Sequence, residues 1–87
     1  MDDRKPQVSR RVIELAAEQV DADPTRLTPQ THFVNDLNYD SLEVVEFTMK
    51  LEDEFEISVP EEAVDKLDTV GKVVDYIADH TPDSPQN

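Results

Sequence analysis

Residues 41–55 read SLEVVEFTMKLEDEF, and the fold turns on how that run divides between core and solvent. At about 100° per residue its side chains sort into separate arcs, so the run is a helix and not a strand. Phe47, Leu51, Val44, Phe55 and Thr48 gather on one side as the expected core stripe. Glu43, Glu46, Lys50, Asp53 and Glu54 fall within an arc of roughly 100°, a polar face of four acids and one base. Leu42, Val45 and Met49 form a second apolar strip that borders these acids, and Glu52 separates it from the core stripe. An apolar strip cut off from the core by a charge is expected to stay half exposed.

Upstream, Val8, Val12, Ile13, Leu15, Ala16 and Val20 recur at helical spacing, which predicts a helix over Pro6–Val20 with Pro6 in its first turn. Residues 21–33, DADPTRLTPQTHF, carry two prolines and several Asp and Thr residues, so they read as a long loop, with one short turn to follow near Val34–Leu37. A loop of that length in a small domain is usually packed or functional. Downstream, ISVP at 57–60 is an extended connection ended by Pro60, and EEAVDKL at 61–67 is a short helix with Glu61 and Glu62 in its first turn. Val70, Val73, Val74 and Ile77, with Tyr76 beside them, predict a last helix over Thr69–Asp79, capped by Asp68 or Thr69. The expectation is an all-α domain of four helices, the third short, with a long loop between the first two. It spans residues 6–80, between polar tails at 1–5 and 81–87.

A chain of 87 residues is one domain with a modest core. Its net charge of −13 repels nucleic acid and anionic lipid and attracts basic protein surfaces. The charge is uneven: residues 1–40 hold eight acids and five bases, whereas residues 41–87 hold thirteen acids and three bases. The strongly acidic half therefore begins at Ser41. No cysteine is present, which excludes disulfides, thiolate metal sites and a cysteine nucleophile. With no signal-like start and no run near the roughly 18 apolar residues of a membrane span, the chain is expected to be soluble and cytoplasmic.

Ser41 has three possible roles. Asp40 or Ser41 suits a helix N-cap, and with Asp40 as the cap Glu43 stands where a capping box wants Glu. A hydrolytic nucleophile is disfavoured: His32 lies in the loop, His80 lies near the end, and Gly71 is the only glycine, so the glycine-flanked nucleophile turn is missing. The third role is attachment. A phosphate ester on a serine at a helix start meets unpaired N–H groups and the positive end of the dipole, and it projects outward where an enzyme can reach it.

DLNYDSLEVVEF at 36–47, followed by LEDEFEISVPEEAVDKLDTVGKVVDYI at 51–77, resembles the acyl carrier protein family. The likeness runs over roughly residues 8–80: Phe33-Val34, Asp36-Leu37, the Asp-Ser-Leu motif, the V-P-E-E turn and a terminal DYI stand in order. The resemblance implies an acyl-carrier-like bundle that is not an enzyme, with Ser41 as the attachment site of 4′-phosphopantetheine. A separate phosphopantetheinyl transferase would add the arm from coenzyme A with Mg²⁺. Asp40, Glu43, Glu46 and Asp53 would meet basic patches on acyl-transferring and synthase enzymes, with Leu42, Val45 and Met49 as apolar contacts. An acyl chain would shelter among Phe33, Leu37, Phe47, Leu51, Val59, Ala63, Leu67 and Tyr76. The thiol missing from the chain would belong to the arm, which carries the acyl group as a thioester in fatty-acid, polyketide or specialised lipid synthesis. No metal site, nucleic acid or membrane enters this reading, and the chain is expected to be a monomer.

The chain departs from the family pattern at Asn38-Tyr39, where Gly and Ala are common. Asn tolerates the left-handed backbone a turn needs there. Tyr39 is bulkier and lies beside the arm, as a mark of specialised partners or as a harmless surface aromatic. Lys50 interrupts the acidic face and is expected to weaken or redirect some contacts. Two alternatives stand beside the acyl carrier: a carrier of aminoacyl or other specialised groups, and an unmodified acidic helical interaction module. A calcium sensor is excluded, because no twelve-residue loop of alternating Asp or Asn with a central Gly and a terminal Glu exists.

Overall fold

The computed structural model describes residues 5–80. Four helices follow in order: α1 (Lys5–Gln19), α2 (Ser41–Phe55), α3 (Glu61–Val64) and α4 (Val70–His80). Among the described residues there is no strand, only one isolated bridge between His32 and Thr69. α2 has the expected range, while α1 lies one residue earlier and α4 one residue later than the spacing predicts. Lys5, expected in the N-terminal tail, begins α1; residues 1–4 and the tail at 81–87 lie outside the described residues.

α1 is the hub. It buries Val8, Val12, Leu15, Ala16 and Ala17, and both α4 and α2 pack along it as the most extensive helix pairings of the fold. α4 contributes Val70, Val73, Val74, Ile77 and Ala78, and α2 contributes Phe47 and Leu51. With both partners committed to α1, the space between α2 and α4 is left for the loops and α3 to close.

The long loop does so with a ladder of backbone bonds. Gly71 N–H donates to Pro29 O (2.8 Å), Val70 N–H to Thr31 O (3.0 Å) and Phe33 N–H to Asp68 O (3.1 Å). The single glycine is explained here: a Cβ on Gly71 would stand 3.0 Å from Pro29 O, closer than side-chain carbons normally come to a carbonyl. Earlier in the loop the sequence reading missed a 3₁₀ turn at Pro24–Arg26. Its signal is Asp-Pro-Thr: the Asp23 carboxylate accepts from the Thr25 N–H (3.0 Å) and hydroxyl (2.8 Å), which holds Asp23 below the usual carboxylate range, with Pro24 at the first position.

α3 is shorter than expected, ending at Val64 rather than Leu67. After it the hydrogen bonds tighten to a three-residue span, with Lys66 N–H to Ala63 O (2.9 Å) and Leu67 N–H to Val64 O (3.1 Å). The cap of α4 is Thr69, whose hydroxyl accepts from the Lys72 N–H at 3.3 Å. Asp68 instead pairs with Lys72 Nζ at 3.0 Å, and that contact holds its carboxyl below the usual range.

Candidate functional site

The start of α2 is fixed by its own sequence. The Asp40 carboxylate accepts from the Glu43 N–H (2.8 Å) and the Glu43 carboxylate accepts from the Asp40 N–H (3.0 Å), a complete capping box. Asp40 is therefore the cap and Ser41 the first helical residue. The capping role considered for Ser41 falls away, and its exposed hydroxyl is not consumed by the helix. Before the cap, Asn38 sits at φ 60°, the left-handed conformation its side chain tolerates. The far end of α2 closes through Glu56, also left-handed (φ 55°), with Ile57 N–H returning to Glu52 O at 3.2 Å.

Tyr39 is not a surface aromatic. It is 4% exposed, its hydroxyl donates to Ala16 O of α1 at 2.7 Å, and its ring meets Phe33 and Phe47 at centroid distances of 5.4 and 5.8 Å. Burial, with the nearby Glu43 charge, pushes the phenol pKa up, so it stays protonated as a donor. Sequence reasoning missed this because a residue in a turn carries no periodicity to mark it as core.

The face of α2 divides as its periodicity predicts. Leu42, Val45 and Met49 are 64%, 52% and 60% exposed, and Val34, which the sequence reading left in a turn, joins them at 50%. Asp40, Glu43, Glu46 and Asp53 make no ion pair among the described residues. Glu46 does accept a hydrogen bond from Gln19 Nε2 (2.8 Å). Glu54 on the same helix is neutralised: Arg11 of α1 grips both its oxygens at 2.9 and 3.1 Å, lowering the carboxyl pKa and raising that of the guanidinium. Lys50 is exposed within this field.

From Asp40 and Ser41 an open groove of about 750 Å³ runs between α2 and α3, past Val45 and Met49 to Glu61. A more enclosed, mainly apolar cavity of about 210 Å³ backs it, and Val34, Tyr39, Val44, Thr48, Val59 and Val64 stand in the walls of both. Of the eight residues expected around an acyl chain, Phe33, Phe47, Leu51, Val59 and Leu67 line the cavity. Leu37, Ala63 and Tyr76 do not. Leu37 packs against the core; Ala63 and Tyr76 border a shallow outer depression, and Tyr76 donates to Ser58 O (3.2 Å) and stacks on His80. The shorter α3 explains part of this, since its tight exit turns Val64 and Leu67 inward and leaves Ala63 outside. The mouth is braced by Glu52, the residue between the two apolar strips, which accepts from the Val59 N–H at 2.7 Å.

Residues 10–77 match the family described as the phosphopantetheine attachment site. The chain belongs to the acyl carrier protein family. In structure it is similar to an acyl carrier protein from Enterococcus faecalis, a protein noted for high thermal stability: TM-score 0.76, 36% identity, 86% of this chain and 95% of that one covered. The group such a carrier bears is covalent 4′-phosphopantetheine, and the start of α2 suits it. Asp40 and Glu43 occupy each other, so the Ser41 and Leu42 N–H groups remain without a partner among the described residues, as a phosphate at a helix N-terminus requires. As a carrier the protein interacts with partner enzymes.

Proposed function

We propose that this chain is a non-catalytic acyl carrier whose phosphopantetheine arm is attached through the Ser41 hydroxyl. The observation that carries the reading is the placement of Ser41: exposed, relieved of capping by Asp40, and at the head of a groove backed by an apolar cavity. The bound arm supplies a thiol that holds the acyl group as a thioester. The chain's own residues do the rest. The capping box fixes the direction in which the Ser41 side chain leaves the helix, and Phe33, Phe47, Leu51, Val59 and Leu67 offer an apolar shelter. Asp40, Glu43, Glu46 and Asp53 present negative charge to basic patches on a phosphopantetheinyl transferase and on acyl-transferring and synthase enzymes. Leu42, Val45, Met49 and Val34 supply the apolar contact. Such charge contacts favour fast, salt-sensitive exchange over tight binding, which a carrier serving several enzymes needs. The mainly apolar lining favours fatty-acid, polyketide or specialised lipid intermediates over aminoacyl groups, in a cytoplasmic, monomeric protein.

The test is intact mass after incubation with coenzyme A, Mg²⁺ and a broad-specificity phosphopantetheinyl transferase. One phosphopantetheine is gained by the unmutated chain and none by Ser41→Ala. No gain on the unmutated chain would make it an unmodified interaction module instead.

A further inference from the structure

We propose that Tyr39 is the wall that fixes the longest acyl chain this carrier shelters. The proposal rests on the reading that the cavity receives the acyl chain. Tyr39 lines both the groove that starts at Ser41 and the cavity behind it, two residues before the attachment serine. Its ring closes a three-ring cluster with Phe33 and Phe47, the Phe33–Phe47 centroids lying 5.1 Å apart and Tyr39 meeting Phe47 edge-on at 89°. No residue of α1 lines either space, and of the residues that line the cavity Tyr39 is hydrogen-bonded directly to α1. On its far side the phenol reaches α1 at the carbonyl of Ala16, a fully buried residue.

The wall is anchored. At the end of α1 the Val20 N–H, which an unbroken helix would aim at Ala16 O, goes to Ala17 O at 3.2 Å. Ala16 O is thereby one of the orphan carbonyls of a helix C-terminus, and the Tyr39 hydroxyl satisfies it at 2.7 Å. Swinging the ring aside to admit a longer chain would strand a buried hydroxyl and a buried carbonyl together, which a folded protein resists. Toward α1, the cavity therefore ends at the ring.

Its size sets the length. An apolar cavity of about 150 Å³ takes one benzene, six carbons. The same packing in about 210 Å³ houses a segment of roughly eight carbons. Each methylene moved from water into it favours the sheltered state by about fourfold, and methylenes beyond the wall add nothing.

The experiment loads the full-length, phosphopantetheinylated chain with saturated straight acyl groups from butanoyl to hexadecanoyl. Thioester cleavage by hydroxylamine and the unfolding temperature are then read against chain length. In the unmutated carrier, protection rises to about eight carbons and levels off. Tyr39→Ala opens a benzene-sized space toward Ala16 and moves the plateau four to six carbons further, by the same rough scaling. Tyr39→Phe lowers the unfolding temperature and leaves the plateau in place, because the ring remains. Tyr39→Leu, a smaller excavation, serves where the alanine variant is too unstable to load, and its plateau moves by about two carbons. A plateau at one length in the unmutated, alanine and leucine carriers overturns the wall. An unmutated carrier with no length dependence overturns the sheltering itself, a distinct result.

Discussion

At its centre the interface between α1 and α4 is closed: Val12, Ala16, Val70 and Ile77 are each no more than 1% exposed, and the loop ladder through Pro29, Thr31 and Phe33 ties α4 down from outside. Between α2 and α3 the chain does the opposite. α3 is four residues long, has no side-chain cap and no buried residue, and leaves about 210 Å³ unfilled behind it. A small domain buries a smaller share of its surface than a large one, and here the more enclosed space lies beside α2 and α3, whereas that at α1 and α4 is an open surface depression. The closed half holds the shape, and the unclosed half is where cargo is proposed to fit.

The sharpest way to break this contrast is to delete equivalent apolar mass from each half. Val12→Ala empties a fully buried site and should cost about 2–3 kcal/mol in urea unfolding, while Val64→Ala, which removes the same two methyls beside space that already exists, should cost about 1 kcal/mol or less. Equal losses would mean that the two halves are packed alike. Next in size is the cap of α2: Asp40→Ala removes one arm of the capping box and should cost about 1 kcal/mol, read as an unfolding temperature lower by roughly 4–8 °C.

How much of this was legible beforehand follows the same division. Residues 41–55 carry a period that sorts core from solvent, so the range of α2 and its exposed strip could be read from SLEVVEFTMKLEDEF, and its capping box from Asp40 just before it together with Glu43. The Asp-Ser-Leu motif with its downstream spacing pointed to the family. Regions without a period were hidden. Tyr39 is core because Ala16 across the fold leaves room and an orphan carbonyl for it, a fact about two segments 23 residues apart. Ala63 and Tyr76, expected around an acyl chain, border the outer depression instead, Ala63 beside the tight exit of α3 and Tyr76 on α4 with its hydroxyl on Ser58 O.

Two smaller effects refine the picture. With a net charge of −13 and the acids concentrated beyond Ser41, self-repulsion should be relieved by sodium or magnesium chloride, raising the unfolding temperature by a few degrees by rough screening arguments. A fall in moderate salt would contradict the reading of the acidic face. Smallest is the acid limb. Glu54 is held below the ordinary carboxylate range by Arg11, so its contribution is full above that range and is lost as pH falls through its lowered folded value. Arg11→Met should remove this step, leaving a shallower loss of stability with acid than in the unmutated chain; both groups are exposed, so the difference is small.

The most direct measurement is amide hydrogen exchange, residue by residue, on the phosphopantetheinyl carrier with and without an octanoyl group. Protection should rise along residues 33–40, on the cavity side of α2 and through α3, while the already closed α1–α4 interface stays unchanged. Protection that appears first between α1 and α4, or nowhere, would contradict the division of the molecule into a scaffold half and a cargo half.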